Sequence, residues 1–169
     1  SLLNLARPSG GETGPVDLNV VVGHVLSLLE HQFKMSKVQV RRDLTDAPVV
    51  VRGVEYKLQQ VFLNLFLNAR DAMPKGGWVS ISTRIDGPEA FVEVADTGAG
   101  IPSEHLARIY DPFFTTKPEG GGTGLGLSVT YGIVQEHGGR LSCESDLGQG
   151  TRFRLVLPLM EPAVVGGHL

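Results

Sequence analysis

The feature that most constrains this chain is a long stretch, from Thr97 to Thr123, that is interrupted by glycine and proline and follows no clear helix or strand pattern. Five of the seven residues from Gly120 to Gly126 are glycine. A weakly structured stretch of this length is uncommon inside a compact domain, and it is typical of a functional lid or of disorder. We expect at most a short helix within it, near Ser103–Ile109. The rest of the chain must therefore supply the core.

Helices and strands are predicted on both sides of this stretch. Apolar spacing predicts helices over Val20–Phe33, Val54–Met73 and Leu125–His137. Alternation or β-branched runs predict strands at Val38–Leu44, Pro48–Val51, Trp78–Asp86, Ala90–Asp96, Arg140–Ser145 and Thr151–Leu157. Because several strands follow one another without a helix between them, the pattern favours an α+β fold, a sandwich of a mixed sheet with helices on one face.

Composition and charge exclude several classes of function. The 15 basic and 18 acidic side chains give a net charge of −3, too balanced for a nucleic-acid or acidic-membrane surface. Cys143 is the only cysteine, so no internal disulfide can form and a reducing, cytoplasmic location is expected. No apolar run approaches the roughly 18 residues that a membrane span needs, and we expect no signal peptide at the start.

Two asparagines on the second predicted helix need an explanation. Asn64 and Asn68 are four residues apart, so they share one face of a helix that is otherwise largely apolar, and asparagine is a mediocre helix former. A merely solvated face is one interpretation. The other is a ligand face, because amide oxygens can coordinate Mg²⁺ and amide nitrogens can donate to phosphate.

Asp96 stands at the end of a predicted strand and is followed by Thr97-Gly98-Ala99-Gly100. A carboxylate there can accept a hydrogen bond from the exocyclic amine of adenine, and the glycines would let the backbone come close. An ordinary turn is an equally good interpretation of this short pattern.

The glycine run leads directly into the third predicted helix. Exposed backbone N–H groups and the helix dipole make such a junction a phosphate cradle, although a flexible hinge is the alternative. The run is not a P-loop, because no lysine follows the relevant glycine, and it is not a dinucleotide fingerprint, because Leu127 occupies the position of the last glycine.

Five motifs in a fixed order resemble those of the ATP-binding catalytic domain of sensor histidine kinases. The motifs are similar to the family's asparagine box, first glycine box, phenylalanine box, second glycine box and closing G-x-G-T-x-F element, at Asn64–Ala72, Asp96–Gly100, Asp111–Lys117, Gly122–Leu127 and Gly148–Phe153. The resemblance covers residues 15 to 158. It implies a Bergerat-type fold, a two-layer α/β sandwich with a mixed sheet packed on three helices and a long ATP lid.

The resemblance also implies roles for single residues. Asn68 would bind the Mg²⁺ that bridges the phosphates of ATP, and Asn64 would help to hold phosphate and metal. Asp96 would accept from the adenine amine, with Gly98 and Gly100 making room. Thr151 would assist through water.

The end of the lid is implied to close over the phosphates, through Gly122, Thr123, Gly124, Leu125, Gly126 and Leu127. Phe113 and Phe114 would anchor the lid or dock against the substrate helices, or simply fill the core. Lys117 could reach the γ-phosphate, although a lid lysine is more often solvated.

One position separates a kinase from a hydrolase in this fold. In the ATP-hydrolysing relatives an acidic residue one helical turn before the metal-binding asparagine activates water as a general base. This chain has Asn64 there, which cannot take a proton, so we predict an ATP-dependent protein-histidine kinase. A stand-alone ATPase, a serine-directed kinase and a non-catalytic nucleotide-sensing module stay as alternatives.

No histidine of this chain fits the pattern of the family's phosphoacceptor, a histidine followed by an acidic residue. The histidines are His24, His31, His105, His137 and His168, followed by Val, Gln, Leu, Gly and Leu. Leu2–Pro8 resembles the end of the family's dimerisation and phosphoacceptor hairpin. We therefore predict the end of that hairpin and a linker at residues 1–14, the catalytic domain at 15–160 and a flexible tail at 161–169, with no autophosphorylation by this fragment alone.

The resemblance implies as partners the phosphoacceptor histidine domain of the same full-length protein and a downstream response regulator. It implies that this fragment is a monomer and that the full-length protein is a homodimer. The fragment is implied to lie in the cytoplasm, either in a cytoplasmic protein or as the cytoplasmic part of a membrane-bound sensor. One departure is Asp71, where many members carry a basic residue, with Arg70 and Lys75 nearby. This variant resembles the nitrogen-regulation subgroup. It leaves open which residue supplies positive charge near the γ-phosphate.

Overall fold

The computed structural model describes residues 11–112, 114 and 126–161. In chain order its elements are β1 (Thr13–Asp17), α1 (Leu18–Met35), β2 (Val38–Asp43), β3 (Val50–Val54), α2 (Glu55–Asp71), β4 (Gly77–Asp86), β5 (Glu89–Asp96), a 3₁₀ helix (Ser103–Arg108), α3 (Gly126–Glu136), β6 (Arg140–Asp146) and β7 (Gly150–Pro158). Each predicted helix and strand is present, with ends that shift by a few residues.

The strands form a five-stranded mixed sheet and a separate pair. The order in the larger sheet is β2-β4-β5-β7-β6, with β2 parallel to β4 and the other neighbours antiparallel. Burial alternates strictly along β5, as expected for a sheet with one face against helices and one in solvent. The predicted α+β sandwich is confirmed.

The core lies between the inner face of this sheet and the helices. The heavily buried face of α2 carries Leu58, Val61, Phe62, Leu65, Phe66 and Ala69. Phe66 meets Phe33 of α1 edge to face, with ring centroids 6.3 Å apart. This geometry is the preferred one for aromatic pairs and adds to the gain from burial. The polar face of α2 is therefore not part of this core.

The start of α1 is fixed by Asp17. Its carboxylate Oδ1 accepts from the backbone N–H of Asn19 at 3.0 Å and from that of Val49 at 3.2 Å. The first bond caps the helix, which is worth about 1 kcal/mol in typical proteins. The second ties the helix to the segment before β3.

Strand β1 differs from the sequence prediction, in which a linker reached Pro15. The structure pairs β1 with β3 from Thr13↔Val54 to Asp17↔Val50. Gly14 and Pro15 indicate a loop by local preference, but a proline is tolerated in a strand that has a partner on one side only. The predicted hairpin end at Leu2–Pro8 and the residues after Glu161 lie outside the described residues.

Within residues 11–112, 114 and 126–161, no helix combines the length and the apolar character needed to cross a membrane.

Candidate functional site

The polar face of α2 lies against the start of α3. Asn64 is half-buried, and its side-chain nitrogen Nδ2 donates to the carbonyl of Gly126 at 3.2 Å and to Thr130 Oγ1 at 3.1 Å. Asn68 is also half-buried, one turn further along the same face. The amide of Asn68 makes no hydrogen bond within the described part of the chain. The two predicted asparagines therefore share a face, and among the described residues only the Asn64 amide has hydrogen-bond partners.

Asp96 closes β5 with a carboxylate that is 9% exposed. Its Oδ1 accepts from the backbone N–H of Gly98 at 2.8 Å. Burial raises the pKa of Asp96 above its ordinary value, while hydrogen bonds from the backbone of Gly98 and Thr151 oppose that rise. A buried carboxylate with few donors is stabilised by a ligand that brings a donor. An amine on a purine is such a donor.

Thr151 lies opposite Asp96 across β5 and β7, and its hydroxyl is 2.9 Å from Ser145 Oγ. Ser145 has a single hydroxyl proton, which it donates to the carbonyl of Gly150 at 2.9 Å. The hydroxyl of Thr151 must therefore donate to Ser145, so Thr151 Oγ1 can only accept from anything else. Sequence reasoning missed Ser145. Its signal was the register of the hairpin, which pairs Ser145 with Thr151.

The two glycines predicted to make room are closely packed by the chain itself. A Cβ on Gly98 would meet the carbonyl oxygen of Ala72, at the end of α2, and lie 2.8 Å from the Cβ of Ala72. Gly100 has φ +79°, and its Cβ would meet the carbonyl oxygen of Asp146. These glycines let the loop after β5 pack on α2 and on the β6–β7 turn. Their part beside a ligand stays a prediction.

The segment after the 3₁₀ helix is anchored by aromatic contacts. The half-buried Phe114 ring has His105 edge-on at 5.4 Å and the Arg108 guanidinium over its face at 4.6 Å. Tyr110 stacks on Tyr131 of α3 with ring centroids 4.8 Å apart. Phe114 also packs against the core cluster as a partly buried side chain, and a role in anchoring the lid stays a prediction.

Most of the lid cannot be compared with the prediction. Phe113 and Lys117 lie outside the described residues, and so do Gly122, Thr123, Gly124 and Leu125. Gly126 is the first residue of α3, and Leu127 packs against the core cluster as a partly buried side chain. Of the predicted phosphate cradle, the structure therefore describes only its helical end.

The cationic side chains near the end of α2 are engaged elsewhere or exposed. Arg70 donates to Gln32 of α1 at 2.7 Å and to Asp71 at 3.0 Å. Lys75 is exposed in the turn that follows α2. Arg70 is therefore held towards α1 in this structure.

The protein ligands for a metal ion are few. Among the residues that the structure describes, no group of three or more His, Cys, Asp or Glu side chains could hold a metal ion. The amide oxygens of Asn64 and Asn68 remain as hard ligands. Mg²⁺ is commonly bound by one or two protein oxygens together with substrate phosphates and water. The donor set fits a magnesium ion that arrives with a nucleotide.

Comparison with known proteins agrees with this geometry. The family model described as "Histidine kinase-, DNA gyrase B-, and HSP90-like ATPase" matches residues 53–161. Sporulation kinase C of Bacillus subtilis (strain 168) is 39% identical over 159 residues, which are 94% of this chain and 37% of that protein. Sensor histidine kinase ZraS of Escherichia coli (strain K12) is 37% identical over 158 residues, 94% of this chain and 34% of that protein. The chain thus spans 37% and 34% of the lengths of these two relatives.

Solved structures show the same fold. The mycobacterial sensor histidine kinase MprB superimposes with a TM-score of 0.78 at 28% identity, covering 89% of this chain and 100% of that one. A nucleotide-free catalytic domain of histidine kinase ThkA gives a TM-score of 0.79 at 30% identity, covering 88% and 96%. Full-length ShkA in complex with AMPPNP gives 0.78 at 28% identity, covering 96% and 35%. The chain therefore belongs to the histidine kinase-, DNA gyrase B- and HSP90-like ATPase family, as an ATP-binding domain of the sensor histidine kinase type.

Proposed function

We propose that this chain binds ATP with Mg²⁺ and donates the γ-phosphoryl group to a histidine on a separate dimerisation domain of the same full-length protein. The observation that carries this proposal is the environment of Asn64. Its amide N–H groups are engaged by Gly126 and Thr130 at the start of α3, so this position offers no base that could activate water. A hydrolase of this fold needs such a base.

Adenine recognition is assigned to Asp96, with Thr151 beside it. The buried carboxylate accepts from the exocyclic amine, and Thr151 Oγ1 accepts from a water or a donor of the base. Gly98 and Gly100 bring the loop after β5 close to this point. A bound nucleotide in the related ShkA structure supports a nucleotide here.

Asn68 and Asn64 are assigned to the metal and phosphate end of the site. Asn68, whose amide has no hydrogen-bond partner among the described residues, would turn its oxygen towards Mg²⁺, and Asn64 would contribute from one turn away. The metal ion supplies charge neutralisation on the phosphates, while the protein supplies position. Gly126 and Leu127 of α3, preceded by Gly122, Thr123, Gly124 and Leu125, would close over the phosphates. Lys117 is the candidate for contact with the γ-phosphate.

Transfer to an external nucleophile fits these residues better than hydrolysis. A serine-directed kinase of the same fold is the second candidate, because it too would transfer the phosphoryl group to an external nucleophile. The relatives named above are sporulation and sensor kinases, which favours histidine as the acceptor. A non-catalytic nucleotide-sensing module is disfavoured by the presence of both Asn68 and the buried Asp96.

The rest of the full-length protein follows from the same proposal. Residues 1–14 would be the end of the dimerisation hairpin and a linker, 15–160 the catalytic domain and 161–169 a flexible tail. ThkA has been crystallised with response regulator protein TrrA, which supports a response regulator as the downstream partner. We place the chain in the cytoplasm, alone or below a membrane sensor, as a monomer within a dimeric protein. The nitrogen-regulation subgroup stays a prediction.

The first test separates the metal from the nucleotide. Asn68→Ala should lower affinity for ATP in the presence of Mg²⁺ by about tenfold, equivalent to about 1.4 kcal/mol, because one ion–ligand contact is lost. Affinity measured with a chelator present should hardly change. Isothermal calorimetry on this chain measures both. Gln60→Ala, an exposed amide on the same line of α2, is the matched control and should behave as the wild type.

The second test concerns the acceptor. This chain with γ-labelled ATP should incorporate almost no label, while the full-length protein should label a histidine in its dimerisation domain. Stable label on any histidine of this chain would contradict the proposal. Rapid release of inorganic phosphate by this chain would favour the ATPase instead.

A further inference from the structure

We propose that Thr130 is a positioning residue, whose hydroxyl fixes the amide of Asn64 so that its oxygen, and not its nitrogen, is presented to the nucleotide's metal ion. The proposal rests on the proposed function, since it concerns the same metal and phosphate end of the site. It assigns Thr130 to the site although this side chain does not reach the ligand itself.

Thr130 is a polar side chain in an entirely buried place. It lies in the second turn of α3 and is 0% exposed. Its Oγ1 donates to the carbonyl of Gly126, four residues earlier, at 2.8 Å. A buried hydroxyl must find partners, whereas an apolar side chain of the same size would need none. Backbone bonding of this kind does not strengthen a helix. Helix stability therefore gives no reason for a threonine at this position.

The proton count determines how Asn64 is turned. Thr130 has one hydroxyl proton, and Gly126 receives it, so Thr130 Oγ1 can only accept from Asn64. The carbonyl of Gly126 is likewise an acceptor. In this arrangement both groups that face the Asn64 amide accept from its nitrogen. Turning the amide over would set its oxygen against the Gly126 carbonyl, and Thr130 could donate to that oxygen only by giving up its own bond to Gly126.

The fixed orientation leaves the Asn64 oxygen for the ligand side. Oxygen is the ligand that Mg²⁺ prefers, whereas an amide N–H would repel the ion. The effect of Thr130 should therefore appear in the metal-dependent part of nucleotide binding. A threonine that only joins α2 to α3 would instead affect binding with and without metal by the same factor.

Substitutions at Thr130 separate these two roles. Thr130→Val keeps the shape and removes the hydroxyl, while Thr130→Ser keeps the hydroxyl. We expect Thr130→Val to weaken the affinity of this chain for ATP with Mg²⁺ by about tenfold, because the amide loses the partner that orients it. Affinity with a chelator present should change less than about twofold. Thr130→Ser should restore binding in the presence of Mg²⁺.

Thr83 provides a matched control. It is 4% exposed, and its hydroxyl also joins an asparagine to backbone, donating to Asn19 Oδ1 at 2.8 Å and accepting from the N–H of Thr45 at 3.0 Å. Thr83→Val should lower thermal stability and leave the ratio of metal-bound to metal-free affinity unchanged. The control thus measures the loss of a buried hydroxyl alone.

A double-mutant cycle tests the route of the effect. If Thr130 acts through Asn64, then Thr130→Val should add nothing to the metal-dependent loss already caused by Asn64→Ala. Additive losses would overturn the proposal, and so would an equal loss with and without Mg²⁺ in Thr130→Val. If Thr130→Val does not fold, Thr130→Cys against Thr130→Ser gives the same comparison, because a thiol is a weak hydrogen-bonding group.

The proposed function fails in a different way. If the wild-type chain binds ATP no better with Mg²⁺ than with a chelator, the metal role of α2 is wrong. If the wild type shows that difference and Thr130→Val keeps it in full, only the positioning role is wrong.

Discussion

At the scale of single residues, Asp96 combines a cost to the fold with a proposed role in ligand binding. Its pKa is raised by burial, so the folded chain binds this proton more tightly than the unfolded chain does. The contribution of the acid to stability is therefore fully present below its unfolded pKa and is lost as the pH rises through its folded pKa. At neutral pH the ionised carboxylate destabilises the fold unless a ligand supplies a donor.

Asp96→Asn should accordingly abolish binding of adenine nucleotides while raising the melting temperature at pH 7. The gain in stability should shrink as the pH is lowered towards 3.8, the ordinary pKa of the group, because the wild type then loses its charge and the asparagine does not titrate. Thermal unfolding at several pH values and calorimetry measure the two effects. Undiminished nucleotide affinity in the variant would remove Asp96 from the adenine site.

Gly100 offers a second test at this scale, with Gly148 as its control. Both have a left-handed backbone, at φ +79° and +77°, but a Cβ at Gly148 has no neighbour within 4 Å. Gly148→Ala should cost about 1 kcal/mol from the backbone alone. Gly100→Ala should cost about 1–3 kcal/mol more, because its Cβ meets the Asp146 carbonyl. Equal losses of unfolding free energy for the two variants, measured by urea unfolding, would show that the loop after β5 can move aside.

Several candidate site residues could be recognised from the local sequence, and others could not. Asn64, Asn68 and Asp96 were singled out as candidates because a polar residue in an apolar helix, or an acid at a strand end, conflicts with local preference. Ser145 and Thr130 conflict with nothing nearby. Their roles arise only when β6 meets β7 and when α3 meets α2, so no local pattern in the sequence marks them.

At the scale of elements, α2 and α3 are joined at both ends. Near the ligand side Asn64 meets Gly126 and Thr130. At the opposite end His137, just after α3, accepts the backbone N–H of Val54 through Nε2 at 3.1 Å, with its Nδ1 2.8 Å from the carbonyl of Ile133. This pattern requires a neutral ring with its proton on Nδ1. Val54 is the N-cap of α2 and makes no side-chain cap of its own.

His137→Ala should therefore destabilise the chain by about 1 kcal/mol, since a partly buried N–H at the start of α2 loses its acceptor. His24→Ala, on the exposed side of α1, is the control and should change stability by less than about 0.5 kcal/mol. Urea unfolding followed by circular dichroism measures both. Similar values for the two variants would show that water replaces the imidazole at Val54.

The elements themselves were largely predictable, because periodicity reflects which side of each one is buried. The strand β1 was the exception. Gly14 and Pro15 break any local strand pattern, and only pairing with β3, some 35 residues later, makes the segment extended. The boundaries of α2 also moved inward from the predicted Val54–Met73, because Met73 and Gly76 close a turn after the helix.

At the scale of the whole molecule, Cys143 provides a reporter of opening. It is half-buried on β6, and burial, with smaller effects from Asp96 and Glu144, raises the pKa of its thiol to about 12. Because the thiolate is the reactive form, this thiol should react slowly at neutral pH until the fold opens.

Labelling of Cys143 by a thiol reagent at pH 7.5 should be slow in the native chain and fast in urea. ATP with Mg²⁺ at 100 times its dissociation constant should stabilise the folded state by about 2.7 kcal/mol and slow labelling accordingly. Cys143→Ser controls for other reactive groups. Rapid native labelling would mean that β6 separates from β7 without global unfolding.

The pairing of Asp96 with Thr151 has a consequence for the choice of nucleotide. The carboxylate accepts, and because Thr151 gives its proton to Ser145, its oxygen also accepts. In the proposed adenine site, the adenine amine would donate to this pair, whereas guanine would offer a carbonyl and place three acceptors together. A signalling protein with this pocket would read the adenylate pool of the cell and be indifferent to its guanylate pool.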